Sequence, residues 1–286
     1  IVKADAYGHG STTVAQVALE SGASWLGVAT VPEGIHLRER GIKSAILILG
    51  ATYTVEQIYA IAHWKLQPTI CSPKQALIFS ETLAKIDYYS PIAVHLKIDT
   101  GMSRLGTDWQ QASDFVQLVQ NLPYLEIASI YSHLATAESP DRTVMNQQHQ
   151  RFQEFISQIK KIGIKPPLLH FANSAATLCD RNLHYDLVRV GLALYGFYPA
   201  PHLQEYVDLK PVLQLKARVT QVKTIAAKTG VSYGHQFIAS KSTRIAVVGI
   251  GYADGVPRNL SNKMHVIVRG QRIPQIGAIT MDQLII

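Results

Sequence analysis

The sequence predicts a (β/α)8 TIM barrel followed by a smaller, mostly-β domain, and three observations predict it. Eight short apolar, β-branched runs recur along roughly the first two hundred residues. Amphipathic stretches with helical spacing lie between most of them. After Tyr195 this alternation stops, and short β-type runs follow with little helix between them.

The eight runs are residues 1–3, 25–29, 45–49, 66–71, 93–99, 127–132, 168–171 and 187–190. The clearest helical stretches are 12–19, 111–120 and 145–161, each with apolar residues three and four apart. A ladder this short lies near the lower limit for a barrel, and a flavodoxin-like doubly wound sheet with fewer strands is the alternative. Beyond Pro199-Ala200-Pro201, the runs 212–224, 244–250, 264–269 and 272–277 alternate with Gly, Asn and Lys turns. The expected domains are therefore a barrel over 1–208 and a β-rich C-terminal domain over 209–286. Both ends read as cut within strands, so the second domain is expected to be truncated.

Composition excludes several classes. Hydrophobic residues make up 47% and charged residues 16%, which suits a globular chain and not a disordered one. No apolar run approaches membrane-spanning length, and no signal-peptide pattern is visible. Cys71 and Cys179 have neither metal spacing nor a disulfide framework, so a cytoplasmic, reducing compartment is expected and no metal site is. The net charge of +7 is spread along the chain without a Lys/Arg arm, so no nucleic-acid partner is expected.

Barrel sites form at the C-terminal ends of the strands, and polar residues collect there in this sequence. Lys3 closes the first run. Lys97 and Asp99 lie in the fifth, with Arg104 beyond it. His133 follows the sixth, His170 and Ser174 follow the seventh, and Arg189 sits inside the eighth, before Gly191. Lysine amines at such a rim are partly dehydrated, which favours the neutral, nucleophilic form. Ser174 and the backbone at Gly191 suit a phosphate dianion, because barrels often bind phosphate between the loops after strands seven and eight. Taken singly, each of these residues also has an ordinary structural reading. Lys3 could be an exposed lysine, Ser174 and Gly191 could be turn residues, and Arg189 could be half of a buried ion pair.

Taken together, the motifs resemble one family. Val2-Lys3-Ala4-Asp5-Ala6-Tyr7-Gly8-His9-Gly10 is similar to the cofactor-lysine signature of the alanine racemases. Similar stretches follow in family order: Leu96 to Gly106, Ser132 to Ala137, His170 to Ala176, Val188 to Leu192, Val231 to Gly234, Gly251 to Gly255, and Thr280 to Gln283. The resemblance implies a pyridoxal phosphate (PLP) enzyme that interconverts L- and D-alanine and supplies D-alanine for peptidoglycan. It implies that Lys3 binds the cofactor aldehyde and that Tyr7, Ser174, Gly191 and Leu192 hold the phosphate. His133 would lie against the cofactor ring, with Arg189 donating to the ring nitrogen. Lys97 matches a lysine that is carbamylated in many members, where it pairs with the counterpart of Arg104, itself expected near the substrate.

The resemblance further implies a two-base mechanism, with Lys3 on the D-alanine side and Tyr233 on the L-alanine side. Tyr252 could instead be the catalytic tyrosine, but motif order and spacing favour Tyr233. Met281 would offer its backbone N–H to the substrate carboxylate, and Tyr252 would line the entrance. These three would serve the site of a neighbouring subunit, so a homodimer with composite sites is expected. Rival readings are a non-catalytic PLP carrier, a PLP decarboxylase, and a broader racemase for serine or other amino acids. The carrier would lack the Tyr233 and Met281 counterparts, and the decarboxylase would present a carboxylate where Arg189 stands.

Overall fold

The computed structural model describes residues 1–86, 90–165 and 168–286. The chain separates into two compact units, Ile1–Leu213 and Gln214–Ile286.

The first unit is built on a parallel sheet. Its strands are β1 (Trp25–Val28), β2 (Ala45–Ala51), β3 (Gln67–Ile70), β4 (Ile92–Asp99), β5 (Thr107–Asp108), β6 (Leu125–Tyr131) and β7 (Leu169–His170). They pair in the order β1-β2-β3-β4-β6-β7, with β5 beside β4. Hydrogen bonds carry the ring onward from β7. His170 bridges Leu187 in parallel, the Ile1 amine donates to the Val190 carbonyl at 2.8 Å, and the Val2 N–H donates to Gly27 of β1 at 2.9 Å. The two edges of the sheet are thus joined through residues 187–190 and 1–2, which matches the barrel and not the open alternative.

Two of the eight expected strands differ. Residues 187–190 make only the single bridge at Leu187. Residues 1–3 form no regular strand, because Ala4, Asp5, Ala6 and Tyr7 turn the chain with φ of 50–56°. Left-handed backbone costs a non-glycine residue roughly 1–2 kcal/mol, so the surroundings must hold it. The Glu33 carboxylate accepts from the Ala4 N–H at 2.8 Å, the Asp5 carboxylate accepts from the Ser11 N–H at 2.7 Å, and the Ala6 N–H donates to Val2 at 2.9 Å.

Helices return the chain between strands, and the sequence marks their starts. Val31–Glu39 follows β1 and Val55–His63 follows β2. Both open on a capping box, Thr30 with Glu33 and Thr54 with Gln57. Pro73–Ala84 follows β3, with Ser72 as its cap and proline in the first turn. Ala112–Gln120 and Thr143–Lys161 follow β5 and β6. The strands are buried through Ile46, Ile48, Ile70, Val94, Leu96, Ile98 and Ile130, against Leu37, Ile58, Phe79, Phe115 and Phe152 of the helices. Burial on both faces explains why these strands read as continuous apolar runs.

The second unit is antiparallel. Strands β8 (Val219–Ile225), β11 (Thr243–Val248) and β14 (Leu284–Ile285) form one sheet in the order β14-β11-β8. Hairpins pair β9 (Gly230–Val231) with β10 (Phe237–Ile238), and β12 (His265–Val268) with β13 (Gln271–Pro274). Two small clusters pack it, one around Val248, Val256, Ile279 and Leu284, the other around Val231, Ile245 and Ile276. Among the described residues, no helix is long and apolar enough to cross a membrane.

Candidate active site

A cavity of about 400 Å³ opens at the C-terminal ends of the parallel strands, within the usual range for a small-ligand site. Lys3, Tyr7, Lys97, Arg104, His133, Ser174, Arg189, Gly191 and Leu192 all line it. Four cationic side chains, Lys3, Lys97, Arg104 and Arg189, face one carboxylate, Glu138. Such an excess of positive charge in a partly buried site favours an anionic ligand.

One end of the cavity is a backbone cradle. Asn173 caps the short helix Ser174–Cys179 by accepting from the Ala176 N–H at 3.1 Å, which fixes Ser174 at the helix start. The Ser174 hydroxyl oxygen accepts from the N–H groups of Gly191 at 2.9 Å and Ala193 at 3.3 Å. Its own proton is left to donate elsewhere. A Cβ on Gly191 would lie 2.6 Å from the Tyr7 hydroxyl, so only glycine lets the two approach. Tyr7 is set by ring contact with Tyr195 at 4.8 Å, and Tyr195 donates to the Ile1 carbonyl at 2.8 Å.

The other wall is a buried cationic cluster. The Arg189 guanidinium donates to the Ser132 carbonyl at 2.7 Å, the Phe171 carbonyl at 3.1 Å, His133 Nδ1 at 3.1 Å and His170 Nδ1 at 2.8 Å. Burial brings its pKa down to about 10, so it stays charged at neutral pH, and none of these partners is a carboxylate. Burial, and after it the charge of Arg189, brings His133 down to about 2, so His133 presents a neutral imidazole. Burial and the charges of Arg189 and Arg104 bring the Lys97 amine down to about 8. Its Nζ lies 4.9 Å from the centre of the Tyr131 ring, and the Arg189 guanidinium carbon lies 5.0 Å from it. Gln148 anchors the loop after β6, accepting from the Ala135 N–H and donating to the His133 carbonyl at 3.0 Å.

The remaining expected residues lie in the second unit. Tyr233 follows Ser232, whose φ of 60° is left-handed and whose hydroxyl donates to the Ala278 carbonyl at 2.7 Å. The Tyr252 N–H donates to Thr280 at 3.0 Å and the Ala253 N–H to Met281 at 2.9 Å. The loops bearing Tyr233, Tyr252 and Met281 are thus tied to the same 278–281 segment. Tyr233 is 71% exposed and Met281 53% exposed.

Comparison with known proteins assigns both units. Residues 1–199 match the family "Alanine racemase, N-terminal domain", and residues 212–286 match "Alanine racemase, C-terminal domain". The chain belongs to the alanine racemase family. The alanine racemase of a Nostoc strain is 73% identical over all 286 residues, which span 74% of that protein. That of Synechocystis is 59% identical over the same residues, spanning 76% of it. Among solved structures, alanine racemase from Enterococcus faecalis (E. faecalis) superposes with a TM-score of 0.89 at 31% identity, covering 99% of this chain and 76% of that one. The Bacillus anthracis enzyme with bound L-Ala-P gives 0.85 at 34% identity, covering 99% and 73%. Alanine racemases are isomerases, and these names do not favour the serine-racemase alternative.

Several residues around the site were not expected from the motifs. Tyr131 lines the cavity, and His95 and Ser129 lie beneath it. A signal was available, because His95, Lys97 and Asp99 occupy alternate positions of an otherwise apolar run, as do Ser129 and Tyr131.

Proposed function

We propose that this protein interconverts L- and D-alanine with PLP attached at Lys3 in the cation-lined cavity. The observation that carries the proposal is the pairing of Lys3 with the Gly191–Ser174–Tyr7 cradle in one cavity. The fit to PLP is chemical. A phosphate dianion needs several donors at one point, and the cradle offers the Ser174 hydroxyl proton, the Tyr7 hydroxyl and the backbone at Leu192, with the Gly191 N–H holding Ser174 in place beside it. Arg189 and His133 would meet the ring, and Arg104 and Met281 the substrate carboxylate. PLP supplies an electron sink that acidifies the α-hydrogen of a bound amino acid.

The residues of the chain then decide which proton moves. Lys3 takes or returns the proton on the D-alanine side, and Tyr233 does so on the L-alanine side. Arg189 holds a guanidinium against the ring nitrogen position and almost never surrenders its proton. Tyr252 narrows the entrance. Lys97, with much of its amine neutral near pH 8, is the position we assign to carbamylation, which would give the Arg104 cation an anionic partner. Tyr233, Tyr252 and Met281 serve the site of a second copy of the chain, so the working unit is a homodimer with composite sites.

Three results test this reading. Purified protein supplied with PLP and L-alanine is expected to form D-alanine until both enantiomers are equal. Tyr233→Phe is expected to slow solvent-deuterium exchange from L-alanine more than from D-alanine, by about 10²-fold or more. Equal loss on both sides would contradict the assignment of faces. Gly191→Ala tests the cradle. The added Cβ must displace the Tyr7 hydroxyl, and PLP affinity measured by equilibrium dialysis is expected to fall about 10-fold. An unchanged affinity would place the phosphate elsewhere.

A further inference from the structure

Beneath the cavity, a chain of buried polar side chains crosses four neighbouring strands in the order β7, β6, β4, β3. Arg189 Nη1 lies 2.8 Å from His170 Nδ1. His170 Nε2 lies 2.7 Å from the Ser129 hydroxyl. That hydroxyl lies 2.6 Å from His95 Nδ1, and His95 Nε2 lies 3.1 Å from the Gln67 amide oxygen. His95, Ser129 and His170 are each at most 1% exposed.

The direction of every proton in this chain follows from its first member. A guanidinium only donates, so His170 Nδ1 accepts. A neutral imidazole has one N–H, so the His170 proton sits on Nε2 and points to Ser129. The Ser129 hydroxyl accepts that proton and has one of its own, which goes to His95 Nδ1. His95 therefore carries its proton on Nε2 and donates it to Gln67, whose amide oxygen ends the chain as a pure acceptor. A proton on Nδ1 of His170 would set two donors face to face at 2.8 Å, and one on Nδ1 of His95 would leave Ser129 without an acceptor. Burial holds both rings neutral, bringing His95 down to about 3 and His170 well below its ordinary value. Packing fixes the ring planes, with Tyr131 stacked on His170 at 4.6 Å and Trp25 edge-on to His95 at 4.9 Å.

We propose that His170, Ser129, His95 and Gln67 form a one-way hydrogen-bond relay that fixes the orientation of Arg189 toward the cofactor ring, making Ser129, His95 and Gln67 positioning residues although none of the three lines the cavity. The inference rests on the reading of Arg189 as the partner of the PLP ring. The relay itself is a property of the protein alone.

The test has two arms. In the first, long-range ¹H–¹⁵N NMR on ¹⁵N-histidine-labelled wild-type protein without PLP reads the two tautomers directly. Both His95 and His170 are expected as Nε2–H with unprotonated Nδ1 at neutral pH, and an Nδ1–H signal from either ring overturns the relay. In the second, Ser129→Ala cuts the relay and Ser129→Thr restores a hydroxyl. Ser129→Ala is expected to add an Nδ1–H population at His95 and to lower kcat about 10- to 100-fold, as loss of an orienting partner does at other sites. Ser129→Thr is expected to recover both the wild-type tautomers and most of kcat. An unaltered kcat in a folded Ser129→Ala protein with altered tautomers would sink the positioning role. Loss of PLP attachment at Lys3 with the tautomers intact would fault the cofactor assignment and leave the relay standing.

Discussion

Stability of the first unit is expected to fall steeply as pH drops from 6.5 to 4.5, a fall that begins before the carboxylates titrate. Burial holds His133 at about 2, His95 at about 3 and His170 well below 6.5, all as neutral rings. In the unfolded chain each returns to about 6.5 and takes up a proton below it. The unfolded state then binds more protons than the folded state, so stability rises with pH in this window and is lost on acidification. Each ring contributes at most about 1.4 kcal/mol per pH unit, so three contribute about 4 kcal/mol per unit once pH is a unit below 6.5. The loss accumulates to about 4 kcal/mol at pH 5.5 and about 8 kcal/mol at pH 4.5, so a domain at the lower end of the typical 5–15 kcal/mol range is expected to unfold at about pH 5. His149 is half-buried and shifts in the same direction. Lys97 adds no slope here, because its amine is protonated in both states below about 8. Urea unfolding at a series of pH values reads the slope. An uptake of about three protons is expected, and a flat profile between pH 6.5 and 5 would mean that the interior histidines are charged in the fold.

Replacing Lys3 by alanine is expected to abolish covalent cofactor binding and lower racemisation by on the order of 10³-fold or more, because one amine both attaches the cofactor and carries a proton. The fold should survive the change. Lys3 is only half-buried, and the turn that follows it is held by the Ala4 backbone N–H on Glu33, by the Asp5 carboxylate and by Val2. A thermal unfolding midpoint near wild type, together with lost activity, separates a chemical role from a structural one. A folded Lys3→Ala protein that racemised at the wild-type rate would remove Lys3 from the mechanism.

Much of the barrel was legible because its signals are local. Apolar residues three and four apart mark the helices over 111–120 and 145–161, and the apolar runs around Ile46–Ile48 and Val94–Ile98 mark strands buried on both faces. The nine site positions in the first unit fall into one cavity because strand ends in a barrel converge, so knowing the strand ends locates the mouth. The left-handed turn after Lys3 was not legible, since Ala4, Ala6 and Tyr7 have no preference for positive φ, and the Ala4 N–H is held by Glu33, distant in sequence. The His95–Ser129–His170 chain was hidden for a related reason. Each residue looks like an isolated polar position in an apolar run, and only the pairing of β4 with β6 and β6 with β7 sets them side by side. Tyr233, Tyr252 and Met281 stood out by motif, and their common tie to 278–281 depends on loop packing that no periodicity encodes.

The most direct test of the central claim is to incubate the wild-type protein with PLP, reduce it with borohydride, digest it and map the modified peptide by mass. The account predicts loss of the visible absorbance band on reduction and one pyridoxyl adduct, on Lys3. An adduct on Lys97 or another lysine instead, or none at all, would contradict it.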